Sequence, residues 1–219
     1  ANRFGVDGVR YYALSEMPYA NDGSITYENI INRFNTDLAN NLGNLVNRTV
    51  AMTKKYFDGV IPTPCGDEGV DSELKSVVSK SITKFCELMD DFRISEAAET
   101  VFDMLSRANK YIDETTPWTL AKDESLKGRL GTVLYNLLEV IRIGAVLLTP
   151  FIPATCEEIF KQIGTEITDY ASIEGFGALV SGNSVGESKV LFARIDEKKM
   201  LEEIEAELKA KEEALKAKE

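Results

Sequence analysis

A chain of 219 residues with 44% hydrophobic and 28% charged residues can bury the core of one or two modest domains. Lys+Arg 25 against Asp+Glu 36 leaves a net charge of -11, so no overall basic field draws it to nucleic acid or an anionic membrane, and a polyanion must be met by a local patch. Histidine is absent, which removes the usual general base, the Ser-His-Asp and Cys-His nucleophile arrangements and the commonest metal ligand.

Cys65, Cys86 and Cys156 are odd in number and widely spaced, which suggests free thiols in a reducing cytosol rather than a disulfide framework or a zinc knuckle. The start at Ala1 has neither Met nor a secretion-signal pattern and reads as a position inside a longer protein. Helical periodicity dominates and strand-like alternation is scarce before residues 175–192, so the expected fold is all-α. A short helix over Val6 to Ser15 ends before Pro18, and Asn21-Asp22-Gly23-Ser24 forms a turn. With Thr26 as N-cap, a long helix runs to about Tyr56 and stops before Asp58-Gly59. The next helices are expected over Ser72 to Met89 and, capped by Ser95, over Glu96 to Tyr111. Thr116-Pro117 starts another, since proline suits the first helical position. Ser125 to Leu148 is apolar but carries Asn136, Glu139 and Arg142, which disqualify it as a membrane span and make it the central helix of a bundle. Ala154 to Ile163 is a short amphipathic helix closed by Gly164, the stretch Gly175 to Gly186 is a surface loop, and Asp196 to Glu219 is a charged helix packing weakly on the bundle.

In the long helix, Leu38, Leu42, Leu45, Thr49 and Met52 share one face, while Asn40, Asn44 and Arg48, four apart, form a ladder on the other. Asparagine is a poor helix former because its side chain competes for backbone hydrogen bonds, and the several here cost stability with no evident structural return. The ladder offers amide and guanidinium groups to a flat edge, or else it is a solvated face or interhelical bonding. Trp118, the only tryptophan, follows Pro117 at a helix start and is either a base-stacking platform or a core residue. A stacking plane with donors and acceptors beside it is what reading single-stranded bases requires, provided the two features are neighbours in space. Glu157-Glu158 and Glu202-Glu203 read as solvated surface, and Tyr11-Tyr12 and Tyr56-Phe57 as core. No catalytic constellation is evident.

These residues carry a resemblance to the methionyl-tRNA synthetase family. It rests on Phe4-Gly5-Val6-Asp7-Gly8-Val9-Arg10-Tyr11-Tyr12, Glu16-Met17-Pro18, Asn32 to Leu45, Arg48-Thr49-Val50-Ala51-Met52 and Lys55-Tyr56-Phe57-Asp58-Gly59. It continues through Asn109-Lys110-Tyr111-Ile112-Asp113-Glu114, Pro117-Trp118 and Leu148 to Pro153, in order over about residues 3 to 164. Leu191 to Asp196 resembles the closing segment, with Ala193 where proline is usual.

The resemblance implies an all-α anticodon-binding bundle of the class Ia synthetases at 24–195, a partial stem-contact segment at 1–23 and a charged tail or linker at 196–219. It implies a fragment without the ATP-binding signatures, inactive alone, holding no cofactor and no metal, in a parent that uses ATP and Mg. It further implies that Trp118 stacks on the first anticodon base, that Pro117 shapes that turn, that Asn44 and Arg48 contact base edges with Asn40 a turn before, and that Asp113 belongs to the same pocket. The implied partners are methionine tRNA with its CAU anticodon and the catalytic domain of the same parent, with a cytoplasmic location and a monomeric fragment. A helical protein-interaction scaffold without RNA binding is the alternative from a different class.

Overall fold

The computed structural model describes residues 3–16 and 25–216; Pro18, the turn at 21–24 and the boundary at 23 lie outside them. Among the described residues the elements are helical, and the only extended pairing is an isolated antiparallel bridge between Val60 and Ser184. Helix α1 (Gly5–Glu16) is followed by α2 (Tyr27–Arg33), a π-helical stretch (Phe34–Gly43) and α3 (Asn44–Phe57). Thr26 caps α2 as expected, its hydroxyl accepting from the Asn29 amide at 3.2 Å. The expected long helix is thus present, but its middle third is wound with i→i+5 hydrogen bonds, which periodicity did not foretell.

Helices α4 (Gly69–Asp90) and α5 (Ile94–Thr115) form an antiparallel pair, and α6 (Pro117–Leu120) is a single turn. The Asp71 carboxylate accepts from the Glu68 amide at 2.7 Å, which moves the start of α4 ahead of Ser72. Ser95 does not cap α5: the helix begins at Ile94, two residues earlier than expected, behind Arg93 as N-cap, and Ser95 sits in its first turn. Pro117 occupies the first position of α6.

The axis of the molecule is α7 (Lys127–Leu148), preceded by a 3-10 turn (Glu124–Leu126) that the Asp123 side chain caps. Residues 124–148 are long and apolar enough to cross a membrane, but the apolar window is wholly buried beneath α3, α4, α5 and α8 (Pro153–Ile163). Each Leu, Ile or Val so buried is worth about 1.5–3 kcal/mol. The same helix buries a charge pair. Arg142 donates to Glu139 through Nε (2.8 Å) and Nη2 (2.9 Å), and both side chains are fully buried.

The remaining capacity of that pair is spent on the segment after α8. Glu139 accepts the amides of Gly177 and Ala178 at 2.9 Å and of Leu179 at 3.1 Å, while Arg142 donates to Ser172 Oγ at 2.7 Å. Residues 175–186 are therefore not simply a surface loop: Leu179 and Val185 are buried, and the polar interruptions of α7 are the pegs that hold this irregular chain to the core. Gly164 closes α8 in the left-handed region (φ 70°), and a Cβ there would lie 2.0 Å from Ser184 O.

Helix α1 is docked rather than free. Asp7 Oδ2 accepts from the Thr155 amide and hydroxyl, both at 2.7 Å, capping the first turn of α8, and Arg10 donates to Pro150 O. Tyr11 and Tyr12 are buried, whereas Tyr56 and Phe57 are only half-buried. The last helix, α9 (Glu197–Lys216), lies on α2 with Ile204 buried and its far half exposed, and Arg3 pairs with Glu203 and Glu207.

Candidate nucleic-acid interface

The π stretch and α3 bury Leu38, Leu42, Leu45 and Thr49 completely, and Met52 partly. That packing turns Asn40 and Asn44 out to solvent and leaves Arg48 half-buried. All three line one groove of about 690 Å³ between this helix and α5, whose Asp103 and Ser106 form the opposite wall.

The asparagines fall into two groups. Asn35 exchanges two hydrogen bonds with the backbone of Ile195 (2.9 and 2.8 Å), Asn47 donates to Ser188 Oγ at 3.1 Å, and Asn41 donates to Phe102 O (3.0 Å) and Ser106 Oγ (2.8 Å). The expectation that these asparagines bring no structural return is overturned for those three, which cross-link helices or loops. Asn40 and Asn44 have no side-chain hydrogen bond among the described residues, so their donors and acceptors face the groove uncommitted.

At the far end of the ladder, Arg48 Nη2 lies 3.7 Å from Asp113 Oδ1. This contact brings α3 to the last turns of α5, and five residues beyond Asp113 stands Trp118, 43% exposed on α6 with Pro117 buried beneath it. Thr116 makes the corner with a left-handed backbone (φ 41°), an uncommon conformation for a β-branched residue, and terminates α5 while starting α6. Sequence reasoning missed this corner; the Thr-Pro pair marks a break, but nothing in it announces the sign of φ.

The end of α5 is held by a buried network. The Asp71 carboxylate takes Arg129 at 2.6 and 3.1 Å and also the Tyr111 hydroxyl, which receives Asn136 Nδ2 at 3.3 Å. Burial alone would raise the Asp71 carboxyl, but the hydrogen bonds from Arg129, the Glu68 amide and Tyr111 outweigh it and hold it below its ordinary range. Burial and the Asp71 carboxylate push the Tyr111 hydroxyl up, so it stays a donor. The groove itself offers two free amides and a guanidinium, groups that can hydrogen-bond the edges of a flat ring, whereas Trp118, Pro117 and Asp113 are not among its lining residues and connect to it through the Arg48–Asp113 contact.

Sequence reasoning also passed over Asn41 and Asn109 as members of this site. Asn109 Nδ2 donates to Asn41 O (3.2 Å) and Asn41 Oδ1 (2.9 Å) across the groove floor. The available signal was the Asn40-Asn41 doublet: adjacent helical residues face different ways, so one of the two had to point at a neighbour.

Residues 61–213 match the family model described as the anticodon binding domain of methionyl tRNA ligase, and residues 1–50 match that of the class I tRNA synthetases for methionine. The methionine-tRNA ligase of Clostridium acetobutylicum is 49% identical over 99% of this chain and 33% of its own length. That of Caldanaerobacter subterraneus subsp. tengcongensis is 47% identical over 96% of the chain and 33% of its own. The apo methionyl-tRNA synthetase of Mycobacterium tuberculosis superposes with a TM-score of 0.84 at 34% identity, covering 90% of this chain and 40% of that one. The chain spans about a third of the length of the curated relatives it matches. It belongs to the methionyl-tRNA ligase family and comprises that family's anticodon-binding domain.

Proposed function

We propose that this bundle binds methionine tRNA and reads its CAU anticodon by splaying the bases out, stacking the first on Trp118 and hydrogen-bonding their edges through Asn40, Asn44 and Arg48. The observation that carries this reading is the exposure of Trp118: the one tryptophan stands 43% exposed at the same end of α5 that the Arg48–Asp113 contact ties to the ladder. Leaving a large aromatic ring in water has no packing benefit, and together with the uncommitted amides of the ladder it suits a ligand with a π-face and polar edges. Pro117 fixes the platform, and Asp113 orients the Arg48 guanidinium.

With a net charge of -11, the affinity comes from stacking and base contacts rather than from many phosphate contacts, which gives a shallow salt dependence. In this reading residues 1–23 belong to the stem-contact part that connects to a catalytic domain. Methionine activation with ATP and Mg takes place there, in a cytoplasmic enzyme, and the monomeric bundle alone does not aminoacylate.

The test is a titration of Trp118 fluorescence with an RNA stem-loop carrying CAU and with loops changed at one anticodon base. Binding by CAU that weakens by about 1–3 kcal/mol on a base change, or on Trp118→Ala when followed by the anisotropy of a fluorophore-labelled stem-loop because that variant has no tryptophan, supports the reading. Equal affinity for all loops overturns it and favours a protein-interaction scaffold.

A further inference from the structure

The π-helical stretch ends at the ladder, and its geometry is held from outside. The Asn44 amide donates to Ala39 O, five residues back, where an α-helix would use Asn40 O. Each such ring holds one residue more than an α-helical ring, so residues before and after Gly43 are offset relative to a continuous α-helix. Asn40 lies within the wound stretch, whereas Asn44 and Arg48 lie after it. The angular spacing of the ladder therefore depends on this winding.

π-Helical turns are rare and disfavoured when left to themselves, so something must select this one. Three ties do so: Asn35 with the Ile195 backbone, Asp37 with Tyr11 Oη (2.8 Å), and Asn41 with α5. The third tie is nearest the ladder. Asn41 O lies at the π-to-α transition, where it accepts both the Asn44 amide and Asn109 Nδ2, and Asn109 Nδ2 also donates to Asn41 Oδ1. Gly43 is permissive for the winding, since a Cβ there would stand 3.0 Å from Leu38 O.

We propose that Asn109 and Asn41 are positioning residues that lock the π register of residues 34–43 and thereby set the spacing at which Asn40, Asn44 and Arg48 meet the bases. This rests on the anticodon-reading proposal above. Neither residue needs to touch RNA; Asn109 acts through Asn41, and Asn41 through the backbone.

The register can be read directly from the through-hydrogen-bond coupling of the Asn44 amide, which goes to the Ala39 carbonyl in the π register and to the Asn40 carbonyl in the α register. In Asn109→Ala the coupling is expected to move to Asn40, and the preference for CAU over single-base-changed loops is expected to fall about tenfold, the equivalent of one hydrogen bond's worth of misplacement. The double variant with Asn41→Ala should be no worse than either single one. Should Asn109→Ala fail to fold, Gly43→Ala, which crowds Leu38 O, provides the same pair of readouts.

A coupling that stays on Ala39 in the variants overturns the lock. A coupling that moves while the CAU preference is unchanged overturns its role in reading. A wild-type chain with no preference among the loops instead overturns the anticodon reading on which the proposal rests, and the wild-type titration identifies that case on its own.

Discussion

Arg48 and Asp113 meet at 3.7 Å across the gap between α3 and α5, with Asp113 71% and Arg48 33% exposed at the side chain. An ion pair this open contributes at most about 1 kcal/mol to folding. In the anticodon-reading proposal, its position at the end of the asparagine ladder gives it another use, orienting the guanidinium fork before a ligand arrives. Arg48→Ala should therefore unfold within about 1 kcal/mol of the parent chain in urea and yet lose about tenfold or more in affinity for a CAU stem-loop. A large loss of stability with unchanged binding would refute this assignment.

The pair inside α7 behaves in the opposite way. Glu139 and Arg142 are both fully buried, and removing one leaves the other charged and unpartnered in the core. Glu139→Ala also strips three backbone amides of their acceptor. A loss of about 3–5 kcal/mol is expected, read from denaturant unfolding, with amide exchange at Gly177–Leu179 accelerating first. Replacement of both members by apolar residues should cost less than Glu139→Ala alone.

Gly164 tests the seating of the segment after α8. An alanine there meets Ser184 O at 2.0 Å from a backbone already at φ 70°, and neither neighbour is a flexible side-chain tip. Gly164→Ala should destabilise by about 1–3 kcal/mol or more and break the Val60–Ser184 bridge. Thermal unfolding at parental temperature would show that this corner has room to move.

Acid stability should carry the mark of Asp71. Its folded-state carboxyl is held below the ordinary value of 3.8, so the unfolded chain binds the proton more readily. The stability that results is fully present above about pH 4 and drains away as pH falls through the lower folded value. Asp71→Asn should start less stable at neutral pH, because Arg129 loses the nearer and more buried of its two carboxylate partners and keeps only Glu68 at 3.2 Å, and should show a flatter decline below about pH 4 than the parent chain. Parallel pH profiles would mean that other carboxylates dominate the acid transition.

Much of this architecture is legible from local rules. The all-α class, Thr26 and Gly164 as helix ends, Pro117 at the first turn of α6 and α7 as the central helix follow from capping chemistry and a 3.6-residue period. Ser95 misled because its own serine signature was overridden by a start at Ile94. The segment 175–186 misled because its glycines resemble a loop, while its attachment is to Glu139, some 40 residues earlier.

The candidate site divides along the same line. Which residue types face away from the leucine stripe, and that a lone Trp follows Pro, were determined by the sequence itself, because helical periodicity is a property of neighbours along the chain. Only the tertiary structure decided that Asn40 and Asn44 are free while Asn35, Asn41 and Asn47 are bonded, that Arg48 reaches Asp113, that Trp118 is exposed, and that the ladder's helix is wound in a π register. Each of those depends on a partner 60 to 160 residues away or on a packed neighbour. The identity of a side chain states what it can bond, and the fold alone states what is left for it to bond.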